Sequence, residues 1–129
     1  MTYKLNQEIK PLIIEVDKYR PYYYAGASGD FNLIHIDGDF AKSVGLGGII
    51  LQGLCTMAYV YRAAIGDNSP EKLKKFKVRF RQVVRPLDKL TVRGKVTSSE
   101  TDSTTIELSA ENQKGEQVIT NACVVLGLL

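Results

Sequence analysis

The feature that most constrains this chain is an apolar segment over residues 53–65, followed by strands with a period of two. The segment has one charged residue, Arg62, and its apolar side chains recur at the spacing of a helix: Leu54, Met57, Ala58, Tyr61 and Ile65. The other positions are also largely apolar, and a helix that is apolar on nearly every side is a buried helix. The pattern therefore predicts a buried helix from Gly53 to Ile65, ending at Gly66.

After Gly66 the apolar pattern changes to strict alternation. Three segments alternate apolar and polar side chains, and residues 117–128 form a final, more apolar strand; the three are residues 76–80, 90–96 and 106–110. Alternation predicts strands with one buried face, and short connections make neighbouring strands antiparallel. We therefore predict an α+β fold over residues 1–129, a single domain whose antiparallel sheet wraps round the central buried helix.

The first half of the chain is mixed. The β-branched run Leu12–Val16 predicts a short strand. Asp17 is a suitable N-cap for a following helix, with Pro21 in or near the first turn and an end among residues 26–29. Residues 37–44 predict a second short helix, closed by a glycine.

The apolar runs, the first residues and the cysteine content each argue against a class of protein. No apolar run approaches the roughly 18 residues that a membrane span requires. The first residues lack a signal peptide's apolar core and cleavage site, so we expect a cytoplasmic protein. Cys55 and Cys123 each lie in an apolar run, which favours buried, reduced thiols. Two cysteines and one histidine are too few for a zinc site, so we expect no metal.

Positive charge is concentrated in residues 71–95, which hold ten basic and two acidic side chains, a balance of +8. Within this stretch four basic residues alternate with apolar ones, which predicts that they share one face: Lys75, Lys77, Arg79 and Arg81. Such a stripe suits an anionic partner, although a solvated strand face is the simpler interpretation. Nucleic acid is a weak candidate, because neither interleaved aromatic residues nor a recognition motif accompanies the charge.

A candidate acid/base pair lies in the middle of the first half. His35 is the only histidine in the chain, and Asp30 precedes it by five residues in a loop that follows Gly29. An imidazole that titrates near neutrality, beside a carboxylate, is a usable acid/base pair. The alternative is a surface loop in which Asp30 or Asn32 forms an Asx-turn and the histidine is idle.

At this loop the sequence resembles a known family. Residues 28–35, Ser-Gly-Asp-Phe-Asn-Leu-Ile-His, are similar to Gly-Asp-x-Asn-Pro-x-His, the signature of the MaoC-like hydratases and dehydratases, which include the (R)-specific enoyl-CoA hydratases. The likeness continues in residues 36–37, 40–46 and 53–57, and through residues 78–80 and the strands that follow. It is closest to the small, single-hotdog (3R)-hydroxyacyl-thioester dehydratase subunits.

Three positions depart from the family pattern. Leu33 stands where the family has proline, and Gln52 stands where histidine usually precedes the glycine. Tyr61 stands where the enoyl hydratases carry a serine that supports the aspartate. None of the three removes a catalytic group.

The resemblance implies a hotdog fold and a set of site residues. Asp30 and His35 would be the catalytic pair, holding and activating one water molecule. Gly53 would direct its backbone N–H at the thioester carbonyl, where a helix N-terminus stabilises an enolate oxygen. Asn32 would fix the loop by bonding backbone groups.

The implied activity is a hydro-lyase reaction between a trans-2-enoyl thioester and a (3R)-hydroxyacyl thioester of CoA or acyl carrier protein, without metal or redox cofactor. The alternative is a non-catalytic or partner-dependent hotdog subunit that binds acyl thioesters; a thioesterase lacks support from the motif. A free sheet edge predicts a homodimer, or a heterodimer with a related subunit. We expect no membrane partner, and the four alternating basic residues are candidates for binding the carrier's phosphate groups.

Overall fold

Five antiparallel strands form one sheet, and a long helix packs against all five of them. The computed structural model describes residues 3–128. The strands lie in the order β1-β3-β4-β5-β2, so β1 and β2 form the two edges. The elements are β1 (Leu12–Glu15), α1 (Arg20–Ser28), α2 (Gly38–Ser43), α3 (Gly53–Ile65), β2 (Leu73–Phe80), β3 (Lys89–Ser99), β4 (Ser103–Glu111) and β5 (Gln117–Gly127), with 3-10 turns at Leu33–His35 and Pro70–Lys72. The predicted α+β architecture is confirmed.

The core lies between α3 and the sheet. Val60 of α3 and the inward-facing side chains of the strands, such as Leu90, Ile106 and Ile119, are fully buried. Burial of apolar area at about 25 cal/mol per Å² is the main force that holds helix and sheet together. The period-two pattern therefore predicted the inner faces of β3 and β4 correctly.

The orientation of α3 differs from the prediction. Leu54 is 63% exposed and Ala58 is also exposed. The buried side chains of α3 are instead those of Cys55, Thr56, Tyr59, Val60, Ala64 and Ile65. A helix that is apolar on nearly every side does not specify which side packs on the sheet, so the spacing rule selected the wrong stripe. One apolar side of α3 is consequently left uncovered in the described part of the single chain.

The start of α1 also differs. Asp17 is not its N-cap, because the helix begins three residues later. Instead the Asp17 carboxylate accepts a hydrogen bond of 2.9 Å from the Tyr19 N–H in the preceding turn. Pro21 is in the first turn as predicted. Gly29 ends the helix with a left-handed φ of 80°, a conformation that glycine adopts without a steric cost.

Two further side chains lie elsewhere than predicted. Phe80 was expected on the buried face of β2 but is 50% exposed, because β2 ends at this residue and the ring extends beyond the core. Cys123 is half-buried rather than buried. It lies on the outer face of the sheet, in register with Lys77 on β2 and Glu107 on β4.

No helix among residues 3–128 is long and apolar enough to cross a bilayer.

Candidate active site

Asp30 and His35 come together at the end of α1. Asp30 follows the glycine that ends this helix, and His35 lies on the 3-10 turn that comes next. Asp30 Oδ2 is 3.7 Å from His35 Nε2. This distance is too long for a direct hydrogen bond and suits a pair of groups that share one water molecule.

The two carboxylate oxygens of Asp30 have separate contacts. Oδ1 accepts a hydrogen bond of 3.3 Å from the Asn32 N–H, while Oδ2 faces His35. Asn32 in turn accepts a hydrogen bond of 3.2 Å from the Ile34 N–H. Both Asx-turns, predicted from the sequence as the alternative to an acid/base pair, are therefore present. They fix the loop in the conformation that brings the acid/base pair together.

His35 is held in one orientation. Its side chain is 9% exposed, whereas that of Asp30 is 45% exposed. His35 Nδ1 lies 2.8 Å from the carbonyl oxygen of Ile50. A carbonyl only accepts hydrogen bonds, so Nδ1 carries the proton in the neutral ring, and the Nε2 lone pair is directed toward Asp30.

Gly53 presents a free N–H to the same region. It is the first residue of α3, so its N–H has no acceptor within the helix. No other acceptor for it occurs among residues 3–128. The thirteen-residue helix adds the positive end of its dipole at this point.

One small pocket joins His35 and Gly53, and Asp30 lies outside its lining. Its volume is about 150 Å³, and its lining includes His35, Gly53, Thr56, Phe80 and Arg81. Ligand sites for whole small molecules usually measure about 300–1,000 Å³, so this pocket has room for the reacting end of a long ligand and not for all of it.

Phe80 and Thr56 are site residues that sequence reasoning missed. Phe80 was assigned to the core because it continues an apolar alternation. The one available signal was its position at the end of that alternation, where side chains leave the sheet.

The four alternating basic residues do not share one surface. Arg81 lies beyond the end of β2 and lines the pocket of His35 and Gly53. Lys77 instead lines a groove of about 580 Å³ on the outer face of the sheet, together with Arg93 and Lys95. Lys75 and Arg79 are exposed on β2. The prediction of a shared face is wrong for Arg81, because the chain leaves the regular strand after Phe80. The Arg81 N–H still donates to the Val118 carbonyl at 2.9 Å, but its side chain lines the pocket.

A group of buried polar side chains lies between α1 and α3. Gln52, 1% exposed, donates a hydrogen bond of 2.8 Å to the Pro21 carbonyl, while its Oε1 has no partner among the described residues. Burial raises the pKa of the Tyr59 phenol to about 12, and the neighbouring Cys55 thiol adds to the effect. Burial also raises the pKa of the Cys55 thiol, an effect that Tyr59 and Arg20 reduce. These shifts favour a neutral thiol, which is a poor nucleophile.

The fold and the site together define a hotdog domain with an acid/base pair beside a helix N-terminus. The family model of the MaoC like domain matches residues 4–118. The chain belongs to this family.

Two similar proteins support the same assignment. A fatty acid synthase beta subunit, hexB of Dothistroma septosporum, is 37% identical over 100 residues, which cover 74% of this chain and 5% of that protein. The probable enoyl-CoA hydratase 2 of Dictyostelium discoideum is 32% identical over 107 residues, which cover 80% of this chain and 35% of that protein. This chain thus spans about a third or less of the length of these two relatives.

Among solved structures, the (R)-hydratase from A. caviae involved in PHA biosynthesis superposes with a TM-score of 0.83. The alignment covers 98% of both chains at 23% identity, and it shows that the two share the hotdog fold.

Proposed function

We propose that this protein is an (R)-specific hydro-lyase that adds water to a trans-2-enoyl thioester, or removes it from a (3R)-hydroxyacyl thioester. One observation carries the proposal. The Asp30 carboxylate and the Nε2 of His35 face each other at 3.7 Å, beside the N–H that opens helix α3. This arrangement has a place for a water molecule and a place for a developing negative oxygen.

The pair would hold water in a fixed orientation. Asp30 Oδ2 and His35 Nε2 are both acceptors, so one water molecule donates a proton to each and turns a lone pair toward the substrate. The water oxygen then bonds to C3 of the enoyl group while one proton passes to the Asp30–His35 pair. The pair returns a proton to C2, and the net change is the addition of H and OH.

Gly53 would stabilise the intermediate charge. As oxygen bonds to C3, electron density moves through C2 to the thioester carbonyl oxygen, which becomes enolate-like. The Gly53 N–H and the dipole of α3 favour negative charge at that oxygen. Loss of one such donor costs about 10²–10³ in kcat in a well-studied case.

Among the four basic residues proposed from the sequence, Arg81 has the strongest support as a ligand of the carrier's phosphates. It lines the catalytic pocket, and the pocket is too small to contain the CoA or phosphopantetheine part of a thioester. That part must extend over the surface near Arg81. A guanidinium fork is well suited to phosphate.

We also propose that the protein works as a dimer formed through the β2 edge. β2 is eight residues long and pairs with β5 alone among the described strands, whereas the other edge strand, β1, has four residues. Large apolar side chains are exposed beside the site: Leu54 at 63%, Phe80 at 50% and Val83 at 39%. A second subunit, identical or related, would cover them and enlarge the substrate site.

The test is incubation of the purified chain with crotonyl-CoA. Loss of the enoyl absorbance with formation of the (3R)-hydroxy product supports the proposal. Release of free thiol would indicate a thioesterase. Binding of the thioester without turnover, both alone and with a related subunit, would favour a non-catalytic acyl-binding domain.

A further inference from the structure

Arg85 connects the β2–β3 loop to residues 46–52, the segment that leads into helix α3. Its guanidinium donates one hydrogen bond to the Leu46 carbonyl and another of 3.4 Å to the Gly48 carbonyl. Its backbone is fixed in turn by a hydrogen bond of 2.8 Å from the Arg85 N–H to Asp88 Oδ2. Arg85 is half-buried, so these contacts are partly shielded from water.

Residues 46–52 contain no helix or strand. Their position is therefore set by bonds to other parts of the chain. The Ile50 N–H donates to the Ile34 carbonyl at 3.1 Å, and the Leu51 N–H donates to the Val84 carbonyl at 2.7 Å. At the other end, where Gly47 has a left-handed φ of 76°, the Leu46 N–H donates to the Ala41 carbonyl at 2.9 Å, and Arg85 holds the carbonyls of Leu46 and Gly48.

This segment determines the geometry of both halves of the site. The Ile50 carbonyl accepts the hydrogen bond from His35 Nδ1, and so sets the tautomer and the direction of Nε2. Three residues after Ile50, Gly53 begins α3 and presents its N–H to the pocket. A displacement of about 1 Å in such groups can cost about 10²-fold in rate.

We propose that Arg85 is a positioning residue for the hydratase reaction: by holding the carbonyls of Leu46 and Gly48, it fixes the Ile50 carbonyl against His35. The role in catalysis rests on the proposed function, whereas the effect on His35 does not. Arg85 does not line the pocket of His35 and Gly53 as described. Its positive charge is used inside the protein, unlike that of its exposed neighbours in the basic stretch.

The experiment compares Arg85→Met and Arg85→Lys with Arg93→Met as the matched control. Arg93 is an exposed arginine on β3 that pairs with Glu111. Because His35 is the only histidine, the nitrogen NMR spectrum of a histidine-labelled sample reports its tautomer without interference. Thermal unfolding establishes that each variant is folded.

In Arg85→Met we expect the spectrum to move from the Nδ1-protonated form toward a mixture of tautomers, with kcat lower by about 10- to 100-fold and KM nearly unchanged. Arg85→Lys should recover only part of the wild-type tautomer population and kcat, because an ammonium lacks the planar fork that spans two carbonyls. Arg93→Met should match the wild type.

A folded Arg85→Met protein with the wild-type nitrogen spectrum would overturn the inference, whatever its activity. If Arg85→Met does not fold, the same comparison is decided by Arg85→Lys. If the wild type proves inactive on enoyl thioesters, the proposed function fails, but the spectra still decide whether Arg85 fixes His35.

Discussion

The ring of Phe80 lies against the Cα of Gly53, so closely that a β-carbon at residue 53 would be 3.2 Å from Phe80 Cε1. The contact joins the end of β2 to the start of α3. It makes the entrance to the Gly53 N–H narrow, and it explains why a glycine suits this position although its backbone φ is not left-handed.

Gly53→Val should leave a folded protein with activity reduced by about 10²–10³, since the side chain would occupy the path of the thioester carbonyl to the N–H. The half-exposed Phe80 ring can move aside, so the melting temperature should change little. Gly38→Val is the matched control, because Gly38 is the first residue of α2 and an added β-carbon there meets none of the described atoms within 4 Å. A fully active Gly53→Val enzyme would refute the oxyanion role.

Asp30→Asn and His35→Ala should each lower kcat by a factor of about 10² or more, as loss of general acid–base catalysis typically does. The double variant should be little worse than either single one, because both groups hold the same water. Asp30→Asn retains a side-chain oxygen that can accept from the Asn32 N–H, so the loop should persist.

Steady-state kinetics on an enoyl-CoA measure these effects, with Asp39→Asn as a control for loss of an exposed carboxylate near the loop. Near wild-type kcat in either single variant would exclude that residue from the mechanism.

Salt should weaken substrate binding if Arg81 binds phosphate. Attraction between exposed charges is screened at physiological ionic strength, where the Debye length is about 8 Å. We therefore expect KM for an acyl-CoA to rise with salt at constant kcat, and Arg81→Gln to flatten the dependence. Lys77→Glu tests the outer groove and should have the smaller effect. An equal salt dependence in wild type and Arg81→Gln would remove Arg81 from the binding site.

Sedimentation should show a dimer of the 14.3 kDa chain. Leu54→Glu places a charge on the uncovered side of α3 and should shift the protein toward monomer. Ile13→Glu is the matched control, because Ile13 is 60% exposed on β1, at the opposite edge of the sheet. A stable and fully active monomer would contradict the proposed dimer.

Alkaline pH should destabilise the protein through Tyr59. In the unfolded chain a tyrosine ionises near its ordinary pKa of about 10, whereas in the folded protein the pKa of Tyr59 is about 12. The unfolded state therefore loses this proton first. The contribution of Tyr59 to the free energy of unfolding is complete below about pH 10 and is lost as the pH rises through 12.

Tyr59→Phe should accordingly make the free energy of unfolding fall less steeply between pH 10 and pH 12, by on the order of 2 kcal/mol over the interval. Denaturant unfolding at several pH values measures it. Tyr23→Phe, which changes a tyrosine that is 63% exposed, is the control. Parallel pH curves for Tyr59→Phe and wild type would show that Tyr59 does not cause the alkaline loss.

The site could be predicted only in part. Residue types and spacing made Asp30 and His35 a candidate pair, and the resemblance to the MaoC-like signature predicted their role and that of Gly53. Phe80, Arg81 and Arg85 acquire their places from contacts between distant parts of the chain, such as those of Phe80 with Gly53 and of Arg85 with Leu46. The hydrophobic periodicity of a sequence cannot predict contacts between such distant residues.

The sequence by itself determined the elements: an apolar segment of helical length predicted α3, and alternation with a period of two predicted β2, β3 and β4, because such patterns depend on local geometry alone. The tertiary structure decided which side of α3 is buried, that the strand alternation ends at Phe80, and which of Lys77 and Arg81 lines the pocket of His35 and Gly53. These depend on how separate elements pack together, because an apolar side chain gains similar free energy from any apolar neighbour, and only the whole fold selects one.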